Sequence, residues 1–201
     1  MKKKDWTGNQ HSIFVTLGSS NHVEEDRALY DFYATDPKAL ELLISDGGAT
    51  FSHKILEPCA GDGHLAEVLK SHGYEVVCAD IIQRNYPLDG TWDFLEQNKK
   101  WKGDIVINPP YSQAQQFIEK SLEMIRDDDN VYAFLKLQFL EGKARRKLFD
   151  TKQLKEVFVS SSRLACAKNG NFDMVSGSAV AFAWFHWQKG FCGDPIIKWI
   201  N

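Results

Sequence analysis

Apolar and polar positions along the chain change period repeatedly, and those changes divide it into elements. Asp36, Pro37 and the run "KALELLI" read as a capped helix start, because an Asp side chain accepts from first-turn N–H groups and proline suits the first helical position. "HKILEP" (53–58) and "YEVVCAD" (74–80) read as buried strands. Between them "HLAEVLKSH" (64–72) reads as a helix, with Leu65, Val68 and Leu69 on one face. "DIVIN" (104–108) is a further strand. After Tyr111, a helical stripe runs through Ala114, Phe117, Ile118, Ser121, Leu122 and Ile125. "VYAFLKL" (131–137), "KEVFVS" (155–160) and "AVAFAWFHW" (179–187) complete the strands. Such alternation implies a single α/β domain, with a mostly parallel sheet covered by helices on both faces. No helical pattern separates the last two strands, so one of them is expected to run antiparallel near the C-terminus. Residues 81–103 are short for a full helix and strand, and an abbreviated sheet is expected there. The first twenty residues are polar and rich in Gly, Ser and Thr, an arm ahead of a domain at 21–201. Asn21 and Glu24 have the spacing of a capping box at its start.

Composition narrows this picture a little. With 43% hydrophobic and 25% charged residues, the 201-residue chain has ordinary globular proportions. Its longest uncharged apolar run (179–187) is too short to span a bilayer, and "MKKKDWTGNQ" has no apolar region behind its basic start. Cys59, Cys78, Cys166 and Cys192 form no Cys-x-x-Cys pair, which suggests a reduced, cytoplasmic protein without a metal site. A net charge of −3 argues against general polyanion binding, while leaving room for a local basic face.

Ligands of open α/β sheets bind beyond the carboxyl ends of the strands. After the first strand, "EPCAGDGH" offers a carboxylate (Glu57) and a turn with Gly61 and Gly63. Taken alone this is an ordinary strand-to-helix turn. Asp80, at the end of the next strand, could cap a helix or accept from a ribose diol, and Ile81 follows as an apolar wall. The glycines about twenty residues upstream shift the balance toward a nucleoside-type cofactor. A dinucleotide fits less well, because Ala66 stands where Gly-x-Gly-x-x-Gly needs its third glycine. Asn108-Pro109-Pro110-Tyr111 ends a long strand. A side-chain amide and a carbonyl on a rigid Pro-Pro corner are two acceptors for an –NH₂ group, and Tyr111 supplies a face for the flat ring that bears it.

"NPPY" together with "EPCAGDG" resembles the class I S-adenosylmethionine-dependent N6-adenine DNA methyltransferases. "DFYATDP" (31–37) and "DFL" (93–95) match further motifs of that family, and the similarity runs from about residue 30 to 187; "FLKLQFLEGKARRKLF", "RLACAKNG" and the closing "IIKWIN" further resemble small phage and prophage members. The resemblance implies a Rossmann-like fold and S-adenosyl-L-methionine as cofactor. Glu57, Ala60, Gly61 and Gly63 would line its methionine end, Asp80 hold its ribose and Ile81 pack near its adenine. Asp93 would accept from the adenine amino group and Phe94 touch its ring. Phe32, Tyr33 and Thr35 would close the pocket, with the Asp36–Pro37 helix start facing the carboxylate.

By the same resemblance, Asn108 and Pro109 would hold the target N6, with Pro110 fixing the corner and Tyr111 stacking on the base. N6 is not reachable in line inside a duplex, so the base must be flipped or single-stranded. Lys136, Lys143, Arg145, Arg146, Lys147 and Lys168 are candidates for phosphate contact, and Phe172 for stacking. The plainer reading of the 141–149 run is a solvated helix face with Glu141 and Arg145 paired. About fourteen residues follow the last strand, too few for the separate target-recognition domain of larger relatives. Selectivity would then come from residues 1–30, 138–150 and 161–178, from a specificity partner, or from a homodimer. The same corner would also hold adenine in RNA or a protein glutamine amide. A non-catalytic, cofactor-bound DNA-binding module is a further alternative.

Overall fold

The computed structural model describes residues 33–162, 164, 166–168 and 180–201. The predicted arm and the helix start at Asn21 lie outside them. Strand β1 (Tyr33–Thr35) leads into helix α1 (Pro37–Ser45), where Asp36 Oδ1 accepts from the Lys38 N–H at 2.9 Å, the expected cap. Then come β2 (Lys54–Glu57), α2 (His64–Ser71), β3 (Glu75–Asp80), β4 (Gly90–Thr91) and β5 (Asp104–Ile107). Helix α3 (Ala114–Met124), β6 (Asn130–Lys136), two 3₁₀ turns (Leu137–Leu140 and Lys143–Arg145) and α4 (Arg146–Asp150) follow. The remaining strands are β7 (Leu154–Ser160), β8 (Cys166–Lys168), β9 (Phe182–Gln188) and β10 (Ile196–Ile200).

The main sheet has eight strands in the order β10-β7-β9-β6-β5-β2-β3-β4, and β1 pairs separately with β8. β9 is antiparallel to both β6 and β7, which makes it the anticipated reversed strand. The abbreviated region is also as expected: β4 has only two residues, and Asp89 anchors its approach by accepting from the Cys78 N–H at 2.8 Å. One expectation is corrected. The residues after β9 contain a further strand, β10, parallel to β7. Its sequence "IIKWI" lacks the alternation that marks a half-buried strand, because most of its side chains are exposed.

Side chains of successive strand residues point to opposite faces, and the core divides accordingly. Ile55, Val106, Phe134 and Trp184 pack on the face covered by α1 and α2, with Leu40, Leu43, Leu65 and Leu69. Ile105, Ile107, Phe185 and Trp187 pack on the other face, with Phe117, Ile118 and Leu122 of α3. Each such burial contributes about 1.5–3 kcal/mol. Ser121 sits within the apolar stripe of α3 because its Oγ donates to the Phe117 carbonyl at 2.7 Å. From β2 the chain winds outward to β3 and β4, then returns to the other side of β2 as β5. The strand order therefore reverses between β2 and β5, where open sheets leave a crevice at the carboxyl ends.

Candidate active site

Glu57 ends β2 on one side of that crevice. It is 1% exposed, and its Oε2 has no hydrogen-bond partner among the described residues. Burial is the main cause that raises its pKa well above the ordinary range, and the nearby Asp80 carboxylate adds to it. Two further buried oxygens are also without partners among the described residues: Thr35 Oγ1 at the end of β1, and Asp62 Oδ1 in the turn after β2. Buried polar atoms are nearly always bonded, so the orphaned Glu57 and Asp62 oxygens at one turn indicate a site for donors.

The turn itself is held open by backbone geometry. Gly61 and Gly63 have φ of 53° and 78°, a region that side-chain-bearing residues rarely adopt. A Cβ on Gly63 would also meet the Tyr86 ring at 2.3 Å. The Tyr86 hydroxyl donates to Glu67 at 2.6 Å and accepts from Lys70 at 2.8 Å, which pins the ring beneath the turn. Nothing in the "NYPLDG" stretch marked Tyr86 as part of the site. Ala60 is buried, and its N–H donates to the Ala79 carbonyl at 2.9 Å. Asp80 ties the turn to β3 by accepting from the Gly61 N–H at 2.9 Å and the Ile82 N–H at 3.1 Å. A carboxylate has about four lone-pair positions, so Asp80 keeps capacity for a ligand's donors. Ile81, beside it, is 61% exposed, an apolar wall without a cover among the described residues.

Cys59 reports the charge of this corner. Burial raises its thiol pKa well above the usual value, and Asp80, Glu57 and Asp93 all add to the shift. Three carboxylates therefore share one neighbourhood, which favours a positively charged ligand. Asp93 Oδ1 accepts from the Leu95 N–H at 2.9 Å. Phe94 is buried in the core and stacks on Phe117, with centroids 5.4 Å apart.

Across the crevice, β5 runs into Asn108, Pro109, Pro110 and Tyr111. Pro109 is buried, while Asn108, Pro110 and Tyr111 are half-buried. The Asn108 Oδ1 atom is itself shielded from solvent. The Pro110 carbonyl accepts from the Gln113 N–H at 3.0 Å, which turns the chain into α3. The Tyr111 ring lies 5.9 Å from that of Phe182, and Lys136 Nζ sits over it, 4.7 Å from the centroid. Lys136 is thus engaged with the ring proposed for stacking, and a planar group reaches that face only when the ammonium moves aside. Phe182 carried no signal in the sequence beyond its place in an apolar strand.

The basic segment after β6 divides in two. Arg145 bonds the Phe139 carbonyl at 2.8 Å and those of Gln138 and Glu141, and its guanidinium lies over the Phe139 ring. It organises the 3₁₀ turn and reaches the backbone of Glu141, where a carboxylate pair was expected. Arg146 pairs with Asp150 at 2.6 Å on the surface, and Lys143 and Lys147 are exposed. Phe32, Phe172, and the side chains of Tyr33 and Lys168 lie outside the described residues. Among the described residues no cluster of His, Cys, Asp and Glu could hold a metal, and no helix is long and apolar enough to cross a membrane.

No family model matches the chain, and no curated protein sequence matches it. Solved structures do match in fold. A protein from Pyrococcus horikoshii assigned as an RNA methyltransferase aligns with 16% identity and a TM-score of 0.52, covering 76% of this chain and 81% of that one. A protein from Listeria monocytogenes assigned as a class I S-adenosylmethionine-dependent methyltransferase aligns with 10% identity and a TM-score of 0.54, over 81% and 62% of the two chains. A modification subunit assigned to a type I restriction enzyme of Vibrio vulnificus aligns with 8% identity and a TM-score of 0.56, over 82% and 45%. The fold is that of the class I methyltransferases. The activities assigned to these proteins differ, and identities this low carry the fold alone.

Proposed function

We propose that this chain transfers a methyl group from S-adenosyl-L-methionine to the N6 amino group of adenine in DNA. One observation carries the reading: the Asn108–Tyr111 corner and Glu57, whose Oε2 is without a partner among the described residues, stand at the ends of β5 and β2, on either side of the crevice where the strand order reverses.

The residues fit the cofactor. Its ammonium and sulfonium are positive, and Glu57, Asp80 and Asp93 gather negative charge around Cys59. Glu57 would hold the amino group, Asp80 the ribose hydroxyls, and Ile81 the adenine. The cofactor, when bound, supplies an electrophilic methyl group. Displacement at that carbon is in line, so placing the nucleophile matters more than a strong base. Asn108 Oδ1 and the Pro109 carbonyl would accept both N6 hydrogens, favour a pyramidal nitrogen and offset the positive charge that develops there. Tyr111 would stack on a base flipped or already unpaired, with Lys136 displaced from its ring. The exposed Lys143 and Lys147 would meet phosphate.

The test is incubation with methyl-labelled S-adenosylmethionine and a panel of duplex DNA, single-stranded DNA, RNA and protein extract, with products identified by mass spectrometry. N6-methyladenine in DNA is expected, and Asn108→Ala should lower its rate by about 10²–10³, the scale of losing one preorganised polar contact in a transition state. Label on RNA or on a glutamine amide, with none on DNA, overturns the substrate. Cofactor binding without any product overturns the reaction.

A further inference from the structure

Most of the large apolar side chains exposed among the described residues fall on one strand. Ile196, Ile197 and Trp199 of β10 are 60%, 51% and 68% exposed. Among the described residues β10 is also the outermost strand of the main sheet. Sheet edges are normally blunted by charges, proline or a bulge, because unpaired N–H and C=O groups recruit other strands. Within β10 the only charge is Lys198, and it turns inward to an ion pair with Glu156. Within the strand only the Lys198 charge would oppose pairing, and Glu156 offsets it.

The hydrogen-bond register shows which groups are available. The Ser161 N–H donates to the Ile200 carbonyl, so Ile200 is a residue that faces β7. In a parallel pair such residues alternate, which leaves Ile197 and Trp199 with their N–H and C=O directed outward. We infer that two copies of this chain associate through antiparallel pairing of their β10 edges, about a two-fold axis at Lys198. That register sets each Ile197 opposite Trp199 of the second copy, and both such pairs exchange hydrogen bonds in both directions. It also joins the exposed apolar side chains of positions 197 and 199 on one face. An axis at Ile197 would need an N–H from Pro195, which has none. An axis at Trp199 would need the Asn201 N–H, which already donates to Asp46 at 2.8 Å. The Lys198 axis is the arrangement these constraints leave.

β10 runs parallel to β7, and β7 parallel to β6, so antiparallel pairing turns the two crevices toward opposite edges of the joined sheet. Each copy then works on its own substrate, and turnover per chain is independent of association. A five-residue seam is a small interface, and a dissociation constant in the micromolar range is expected.

The test is light scattering after gel filtration, from about 1 μM to about 200 μM, a span that brackets such an affinity. The mass of the wild-type chain should rise from 22.9 kDa toward twice that value. Ile197→Lys and Trp199→Lys should each weaken association at least tenfold. The register is read by cysteines introduced one at a time into a Cys192→Ser background under mild oxidation, each compared with that background alone. Lys198→Cys places two thiols on a non-hydrogen-bonded pair, with Cα atoms about 4.5 Å apart, and should cross-link. Ile197→Cys should not. A chain monomeric across the range, or cross-linking at 197 in place of 198, overturns the inference. So does amide-exchange protection of 197 and 199 in the monomer, which would mean that this chain, or another protein, covers the edge.

Discussion

Replacing Glu57 with Gln removes a charge from a site where the fold gives it little support. Glu57 is buried, one oxygen is unpartnered, and its pKa is raised first by burial and then by Asp80. The unfolded chain releases this proton near 4.5, the ordinary glutamate value, while the folded chain keeps it to a higher pH. Between those limits the folded state binds more protons, so stability falls as pH rises, by at most about 1.4 kcal/mol per pH unit for one group. The loss is complete once pH exceeds the folded pKa. Glu57→Gln is close in shape and cannot ionise. It should therefore flatten that part of the profile and leave the variant about 1–2 kcal/mol more stable than wild type at pH 8, the scale of an unsatisfied buried group. Binding should move the other way. A cationic ligand favours ionised Glu57, so wild-type affinity for S-adenosylmethionine should rise with pH through this titration. The variant should bind about 10–100-fold more weakly at pH 8 and lose the pH dependence, as removing one charge-assisted contact implies. Urea midpoints from pH 5 to 8.5 and calorimetric titration at the same values read both effects. A variant less stable at pH 8, with unchanged ligand affinity, would refute the assignment of Glu57 to the ligand.

Gly63→Ala combines a backbone conformation that disfavours a side chain with a Cβ 2.3 Å from the Tyr86 ring. It should cost about 2–3 kcal/mol, and Tyr86→Leu in the same chain should recover the steric part while leaving about 1 kcal/mol for the backbone. Denaturant curves of the two single variants and the double variant measure this. Arg145 and Lys147 should separate under salt. Lys147→Met should reduce the slope of log affinity for DNA against log salt by about 0.9, as loss of one phosphate contact requires. Arg145→Met should leave that slope unchanged and speed amide exchange across 137–142, because its guanidinium holds three backbone carbonyls there.

The sequence exposes features whose cause is local. The Asp36 cap, the α3 stripe and the reversed β9 follow from residue spacing and element order, and the structure has each of them. β10 was hidden because an outer strand with exposed side chains does not alternate. Tyr86 was hidden for a different reason: its role depends on Gly63, which it meets only after the chain has passed along β3 and back. Arg145 illustrates a third limit. Charge in a basic run looks the same whether it faces a phosphate or a set of carbonyls, and only the turn of 137–140 decides.

The two edges of the main sheet show why buried polar groups separate a site from a scaffold. Asp104, at the amino end of β5, is as buried as Glu57, yet it accepts from the Ser52 N–H at 2.6 Å, the Asn130 N–H at 2.7 Å and the Asn130 side-chain amide at 3.1 Å. On that same edge Asn130 Oδ1 accepts from His186 Nε2 at 2.8 Å, and the other His186 ring nitrogen meets Glu156 at 2.7 Å. Each member has its partners, so this network joins β5, β6, β7 and β9 without asking for anything from outside. The carboxyl end of β2 has the opposite character: Glu57 there and Asp62 in the following turn each leave a buried oxygen unmatched, as does Thr35 at the end of β1. Both edges contain carboxylates at strand ends, and composition does not tell them apart. What differs is satisfaction: one edge closes its hydrogen bonds internally, while the other carries an unbalanced cost that a ligand with donors and positive charge would offset.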